Sequence, residues 1–104
     1  MTTVSTHVLN TSTGRPAEGV PVQLAQHTED GWTVLGASKT DADGRCKDLP
    51  VPDTAAGTVL RLTFTTEGPF FPEVSIVIEV DPAQAHYHVP LLLNPFGYSV
   101  YRGS

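Results

Sequence analysis

The stretch Val59-Leu60-Arg61-Leu62-Thr63-Phe64-Thr65-Thr66 alternates apolar and polar side chains without a break. In an extended chain Leu60, Leu62 and Phe64 fall on one face, and Arg61, Thr63 and Thr65 fall on the other. A helical period would mix the two sets, so the stretch reads as a half-buried strand. The same period of two recurs on both sides of it. Val74, Ile76, Ile78 and Val80 share one face of the next strand, Glu73, Ser75, Val77 and Glu79 the other, and Asp81-Pro82 ends it. Nearer the start, Val4, Thr6 and Val8 share a face opposite Ser5, His7 and Leu9. Val20, Val22 and Leu24 mark a second strand, and Pro21 suggests that this one begins at a sheet edge. Trp32 to Ala37, Arg45 to Leu49, His86 to Leu93 and Tyr98 to Arg102 complete a set of eight. Turn formers separate them: Thr11 to Pro16, Glu29-Asp30-Gly31, Thr40 to Gly44, and Asn94-Pro95-Phe96-Gly97. Eight short strands at this spacing predict an all-β sandwich of two antiparallel sheets. No segment of useful length carries a helical period, and no internal repeat is visible.

A chain of 104 residues fits one domain, here residues 1–104, and its core is thin enough that oligomerisation would bury useful apolar surface. With 39% hydrophobic and 16% charged residues, nothing reads as disordered. The net charge is −5, with six Lys and Arg and no basic run, which excludes a general nucleic-acid binder. Any anionic ligand must therefore meet a local cluster of cations. The single cysteine, Cys46, excludes an internal disulfide and reads as a small, partly buried thiol. The first residues have neither a charged start nor an apolar run, and no segment is long enough to span a membrane. The expectation is a soluble, cytoplasmic protein with no membrane partner.

The chemistry-bearing residues gather in a few places. In His86-Tyr87-His88-Val89-Pro90-Leu91-Leu92-Leu93, the two histidines share a face opposite Tyr87, Val89 and Leu91. Such a pair serves as two metal ligands, as an acid/base pair, or as solvated surface. A metal would need further ligands from His7, His27 or scattered carboxylates, and no familiar metal motif is present, so a metal-free site without cofactor is preferred. His7 points away from the core if Val4 and Val8 face it. Arg45 follows an Asp-Gly turn. Arg102 lies in a terminal Tyr101-Arg102-Gly103-Ser104 that would fray unless something holds it. No serine sits in a Gly-x-Ser-x-Gly elbow, so any hydrolysis is expected to use activated water.

At these residues the chain resembles a known family. Ser5-Thr6-His7-Val8-Leu9-Asn10 followed by Gly14-Arg15-Pro16-Ala17, then Thr40-Asp41-Ala42-Asp43-Gly44-Arg45, His86 to Leu93, and Tyr98 to Ser104 are similar to segments of the 5-hydroxyisourate hydrolases, in the transthyretin-like family. The resemblance covers nearly the whole chain, and the Tyr-Arg-Gly-Ser end is its most specific element. It implies two four-stranded sheets and a homotetramer with sites in the channel at the dimer–dimer interface. It also implies hydrolysis of 5-hydroxyisourate, the product of urate oxidation, to a hydroxy-carboxy-ureidoimidazoline. By position, His7, Arg45 and His88 match the family's catalytic trio. Tyr101, Arg102 and Ser104 match residues that complete the substrate site together with His7 and Arg45, and His86 is a weaker catalytic candidate.

Neutral imidazole suits the removal of a proton from water, a role assigned on this basis to His7, with His88 orienting water or sharing the proton. Arg45 would pair with the anionic ring and the developing oxyanion. One departure is the short join Glu67-Gly68-Pro69-Phe70, where the family carries a longer stretch with a helix; that helix is expected to be missing. Two other readings compete: a small-ligand carrier of the transthyretin type, and a structural interaction module. Neither accounts for His7, Arg45, His88 and the terminal tail together.

Overall fold

The chain forms strands only. Its computed structural model describes Met1–Ser104 and contains nine strands and no helix. These are β1 (Thr3–Asn10), β2 (Arg15–Pro16), β3 (Pro21–Thr28), β4 (Gly31–Lys39), β5 (Arg45–Cys46), β6 (Val59–Thr65), β7 (Glu73–Glu79), β8 (His86–Asn94) and β9 (Gly97–Val100). One sheet runs β2-β1-β8-β9, with β5 also paired to β1; the other runs β4-β3-β6-β7. The two-sheet sandwich expected from the alternation is present, with one more short strand than the eight read from sequence.

Between the sheets lies a single apolar core. Leu60, Leu62 and Phe64 of β6 are fully buried, as are Val22 and Leu24 of β3, and Val8 and Leu91 of the facing sheet. These are the inward positions of each alternating strand. Each buried aliphatic or aromatic side chain contributes about 1.5–3 kcal/mol through removal from water.

Several details differ from the sequence reading, each for a physical reason. The first sheet is mixed, because β1 and β8 run parallel, from Thr3 opposite His86 to Asn10 opposite Leu93. Alternation reports faces and not strand direction, so it could not separate the two cases. Arg15–Pro16 was read as part of a turn but closes back on β1 as a two-residue strand, with Leu9 opposite Pro16. Strand β3 is internal, and Pro21 is tolerated because it is the strand's first residue, opposite Lys39. Strand β5 covers only Arg45–Cys46, and β9 ends at Val100 instead of Arg102. Beyond Val100 the tail returns to the sheet by one bridge, between Gly103 and His88.

As the short join Glu67-Gly68-Pro69-Phe70 led one to expect, no helix lies between β6 and β7. Thr66 and Glu67 both donate backbone N–H groups to the Pro72 carbonyl, closing a tight turn in which Glu67 adopts a φ of 53°. That left-handed geometry is uncommon for a residue with a side chain.

Candidate active site

The parallel pairing of β1 with β8 builds the site. Paired residues in a sheet project their side chains to the same side, so Thr3 and Ser5 stand beside His86 and His88. Across the other edge of β1, antiparallel pairing with β5 places Arg45 beside His7. Val4, Thr6 and Val8 take the core face of β1, so this polar row lies on the sheet's outer face. A cavity of about 500 Å³ opens on it, lined by Ser5, Arg45, Lys47, His86, His88 and Ser104 among others.

Local turn chemistry aims Arg45. The carboxylate of Asp41 accepts the backbone N–H groups of Asp43 at 2.9 Å and Arg45 at 3.0 Å. The Arg45 amide is the main reason that the Asp41 carboxyl is held below its ordinary range. Gly44 completes the turn with a φ of +76°, and a Cβ there would approach the Val8 carbonyl oxygen to 2.4 Å. Only glycine fits this approach. The turn also fixes His7, whose Nε2–H donates to the Asp43 carbonyl at 2.9 Å.

His88 is held from two sides. The Ser5 hydroxyl lies 2.8 Å from its Nδ1 and 2.9 Å from Nε2 of His86. The Thr3 hydroxyl in turn contacts Nδ1 of His86. Behind the ring, the Gly103 N–H donates to the His88 carbonyl at 2.8 Å. Ser5 engages Nδ1, which leaves Nε2 as the nitrogen available to the cavity. Partial burial, followed by the charges of Arg45, His7 and His86, pushes the His88 pKa below the ordinary histidine value. The ring is therefore neutral at physiological pH, as a proton acceptor must be.

The structure brings Arg45, His88 and Ser104 to one cavity, with His86. His7 stands next along the same row, outside the cavity's lining in a single subunit. Tyr101 and Arg102 lie elsewhere: they border a second cavity of about 310 Å³ with Ile78, Glu79 and Tyr87. There the Arg102 guanidinium stacks on the Tyr87 ring at 4.6 Å, and the Tyr87 hydroxyl accepts the Asp81 N–H. Thr3, Ser5 and Lys47 belong to the first cavity and were not singled out from sequence. The shared face of Ser5 and His7 was a usable signal for Ser5, but only the parallel register reveals the histidines as its neighbours. Cys46 is buried beneath the row, its thiol donating to Asp48 at 3.6 Å, and burial pushes its pKa up. It is a packed thiol that holds its proton more tightly than a free one.

A cationic Arg45 and Lys47, a neutral imidazole and hydroxyl donors on one open face suit an anionic, planar substrate attacked by water. Comparisons with known proteins identify the family. The 5-hydroxyisourate hydrolase of Salmonella dublin is 43% identical over 109 residues, covering 97% of this chain and 80% of that protein. The structure of Klebsiella pneumoniae 5-hydroxyisourate hydrolase superposes with a TM-score of 0.79 at 36% identity, covering 100% of this chain and 94% of the other. Sea bream transthyretin, solved in complex with thyroxine, superposes with a TM-score of 0.85 at 29% identity, covering 96% and 93%. A sequence profile described as the HIUase/Transthyretin family matches residues 4–103. With nearly the whole chain matched, this protein belongs to the HIUase/Transthyretin family.

Proposed function

We propose that this protein hydrolyses 5-hydroxyisourate, in urate degradation, by water activated on the outer face of the β1–β8 sheet. The observation that carries the reading is the triad of His88, Ser5 and Arg45 around one cavity, in a chain 43% identical to a 5-hydroxyisourate hydrolase. Arg45 binds the anionic ring and stabilises the oxyanion formed at the attacked carbonyl, an effect worth a few kcal/mol when the donor is preorganised. A neutral histidine removes the proton from water. Two observations favour His88 over His7 for that step: its ring lines the cavity with Nδ1 already engaged by Ser5, and its pKa is lowered. His7, tied to Asp43, then holds its place beside Arg45 and the substrate ring. The product is the ring-opened carboxylate, 2-oxo-4-hydroxy-4-carboxy-5-ureidoimidazoline.

A single subunit leaves the cavity open along one side. Strands β7 and β9 are unpaired edges, and Val77, Phe96 and Tyr98 near them are exposed. Such edges favour pairing with another copy. We assign the working form to a homotetramer, in which two such faces oppose each other at the dimer–dimer interface. This is the arrangement in which Tyr101 and Arg102, remote from the cavity within one subunit, are assigned to completing the substrate site. Sizing at several concentrations tests it; a persistent monomer contradicts it.

The fold alone does not separate an enzyme from a carrier, because sea bream transthyretin superposes with the higher TM-score. The cavity does: carriers of apolar ligands present mainly apolar walls, and this one presents Arg45, Lys47, His86 and His88. Generating 5-hydroxyisourate in situ with urate oxidase, and following its ultraviolet decay with and without the protein, tests the activity. The expected result is decay well above the spontaneous rate; no acceleration removes the enzyme reading.

A further inference from the structure

Ser5 and His86 do no chemistry in the scheme above, yet both are joined to His88. The Ser5 Oγ sits between Nδ1 of His88 at 2.8 Å and Nε2 of His86 at 2.9 Å. A hydroxyl has one proton, so it donates to one ring and accepts from the other. The tautomers of the two neutral histidines are thereby coupled. If Ser5 donates to His86, then Nδ1 of His88 carries a proton and Nε2 presents a lone pair to the cavity. If Ser5 donates to His88, then Nε2 of His88 carries the proton and the ring is no base there.

Thr3 selects between the two. Its Oγ1 contacts Nδ1 of His86 and lies 3.4 Å from the Ala85 carbonyl, which can only accept. Donating to Ala85 leaves Thr3 to accept from His86 Nδ1–H. Nε2 of His86 is then the acceptor, and Ser5 must donate to it. The direction runs from His88 Nδ1–H to Ser5, from Ser5 to His86, and from His86 to Thr3.

We propose that Thr3, His86 and Ser5 form a proton relay that fixes His88 as the Nδ1–H tautomer and carries the proton it accepts out to the rim. When Nε2 of His88 takes a proton from water, its Nδ1 proton passes to Ser5 Oγ. The Ser5 proton passes to Nε2 of His86, and His86 releases its Nδ1 proton, by way of Thr3, to solvent. One proton enters at His88 and one leaves at His86, and the chain is left reversed, with Nε2–H on both rings and Ser5 donating to His88. The opposite passage, in which His88 Nε2–H protonates the leaving nitrogen and His86 Nδ1 regains a proton from solvent by way of Thr3, restores the Nδ1–H state for the next turnover.

The driving force lies in the surroundings. His88 faces His7 from β1, Arg45 and Lys47 from β5 and the segment after it, His86 on its own strand, and Ser104 from the tail. A second positive charge there is disfavoured by partial burial and by Arg45. His86 is exposed, so water stabilises its charge. The relay moves the cation from the crowded position to the wet one. Ser5 and His86 are positioning residues in this scheme.

The inference rests on the hydrolytic reading with His88 as base, but its first test needs no substrate. Nitrogen-15 shifts of the imidazoles in the labelled full-length protein report which nitrogen holds the proton. The expected pattern is Nδ1–H on His88 and on His86 above the titration range. Ser5→Ala should release His88 from that tautomer and lower kcat between about tenfold and hundredfold with little change in KM, below the ~10²–10⁴ that a general base contributes. Ser5→Thr, which keeps the hydroxyl, should restore both. If Ser5→Ala does not fold, His86→Gln at its exposed position gives the same comparison. Nε2–H on His88 in the unaltered protein overturns the relay. So do Ser5→Ala and His86→Gln variants that keep both the nitrogen-15 pattern and kcat. Loss of the hydrolytic reading would instead appear as absent turnover with the tautomer pattern intact.

Discussion

Gly103 lies directly against the His88 ring: its N–H donates to the His88 carbonyl at 2.8 Å, and a Cβ on it would stand 2.7 Å from His88 Cδ2. The terminal tail is therefore held at the residue that most concerns the site. Contact this close is open only to glycine. Gly103→Ala should displace the ring or peel the tail away. The expected outcome is a loss of at least tenfold in kcat/KM with a small change in Tm, because the tail lies outside the core. Steady-state kinetics beside a thermal melt checks the pair.

The lowered pKa of His88 has a consequence for stability as well as rate. Its folded value lies below the unfolded one, so the unfolded chain takes up the proton first as pH falls. The stability that neutral His88 contributes is complete above the ordinary histidine range and is lost as pH drops through the folded value. Denaturant titrations across that window should show a decline that His88→Asn flattens. The acid limb of kcat/KM should fall below the ordinary histidine pKa for the same reason.

Arg45 reaches the cavity on a two-residue strand held by Asp41. A lysine in its place keeps the charge and loses the planar fork. Arg45→Lys should lower kcat/KM by roughly 10²–10³, the range for one lost oxyanion donor, with Tm little changed. Asp41→Ala acts further out, by freeing the Asp43 and Arg45 amides, and should weaken turnover less than Arg45→Lys. Kinetics of the two variants in parallel establishes the order.

Phe64 is the largest fully buried side chain and packs at the centre of the sandwich. Phe64→Ala should cost about 3–5 kcal/mol through lost transfer energy and the cavity left behind. Urea denaturation measures it directly. The site residues, on the outer face, should carry no comparable penalty.

The two-sheet sandwich was legible because burial imposes a period of two. The inward sets Leu60, Leu62, Phe64 and Val4, Thr6, Val8 read straight from spacing, and both are buried. What spacing could not reveal was partnership. Thr3 and His86 are 83 residues apart, and nothing in either stretch tells that β1 and β8 pair in parallel. Ser5 therefore looked like one of several unremarkable serines, although it joins two histidines. Lys47 carried no signal that set it apart from the chain's other charges. The tail was picked out by resemblance, but its physical hold, Gly103 on His88, needed the fold. Tyr101 and Arg102 illustrate the converse: they are adjacent in sequence to Gly103 and Ser104, yet border a different cavity, although the tail keeps running along β8 with the Tyr101 N–H on the Pro90 carbonyl and the Gly103 N–H on the His88 carbonyl.

The most direct measurement is the decay of freshly generated 5-hydroxyisourate followed in parallel with the unaltered protein and with His88→Asn. The account predicts rapid, enzyme-dependent decay for the former. It predicts a rate reduced by about 10²-fold or more for the latter at neutral pH, with the fold retained. Equal rates for the two proteins would contradict His88 as the base, and a rate no faster than the spontaneous one for the unaltered protein would contradict the activity itself.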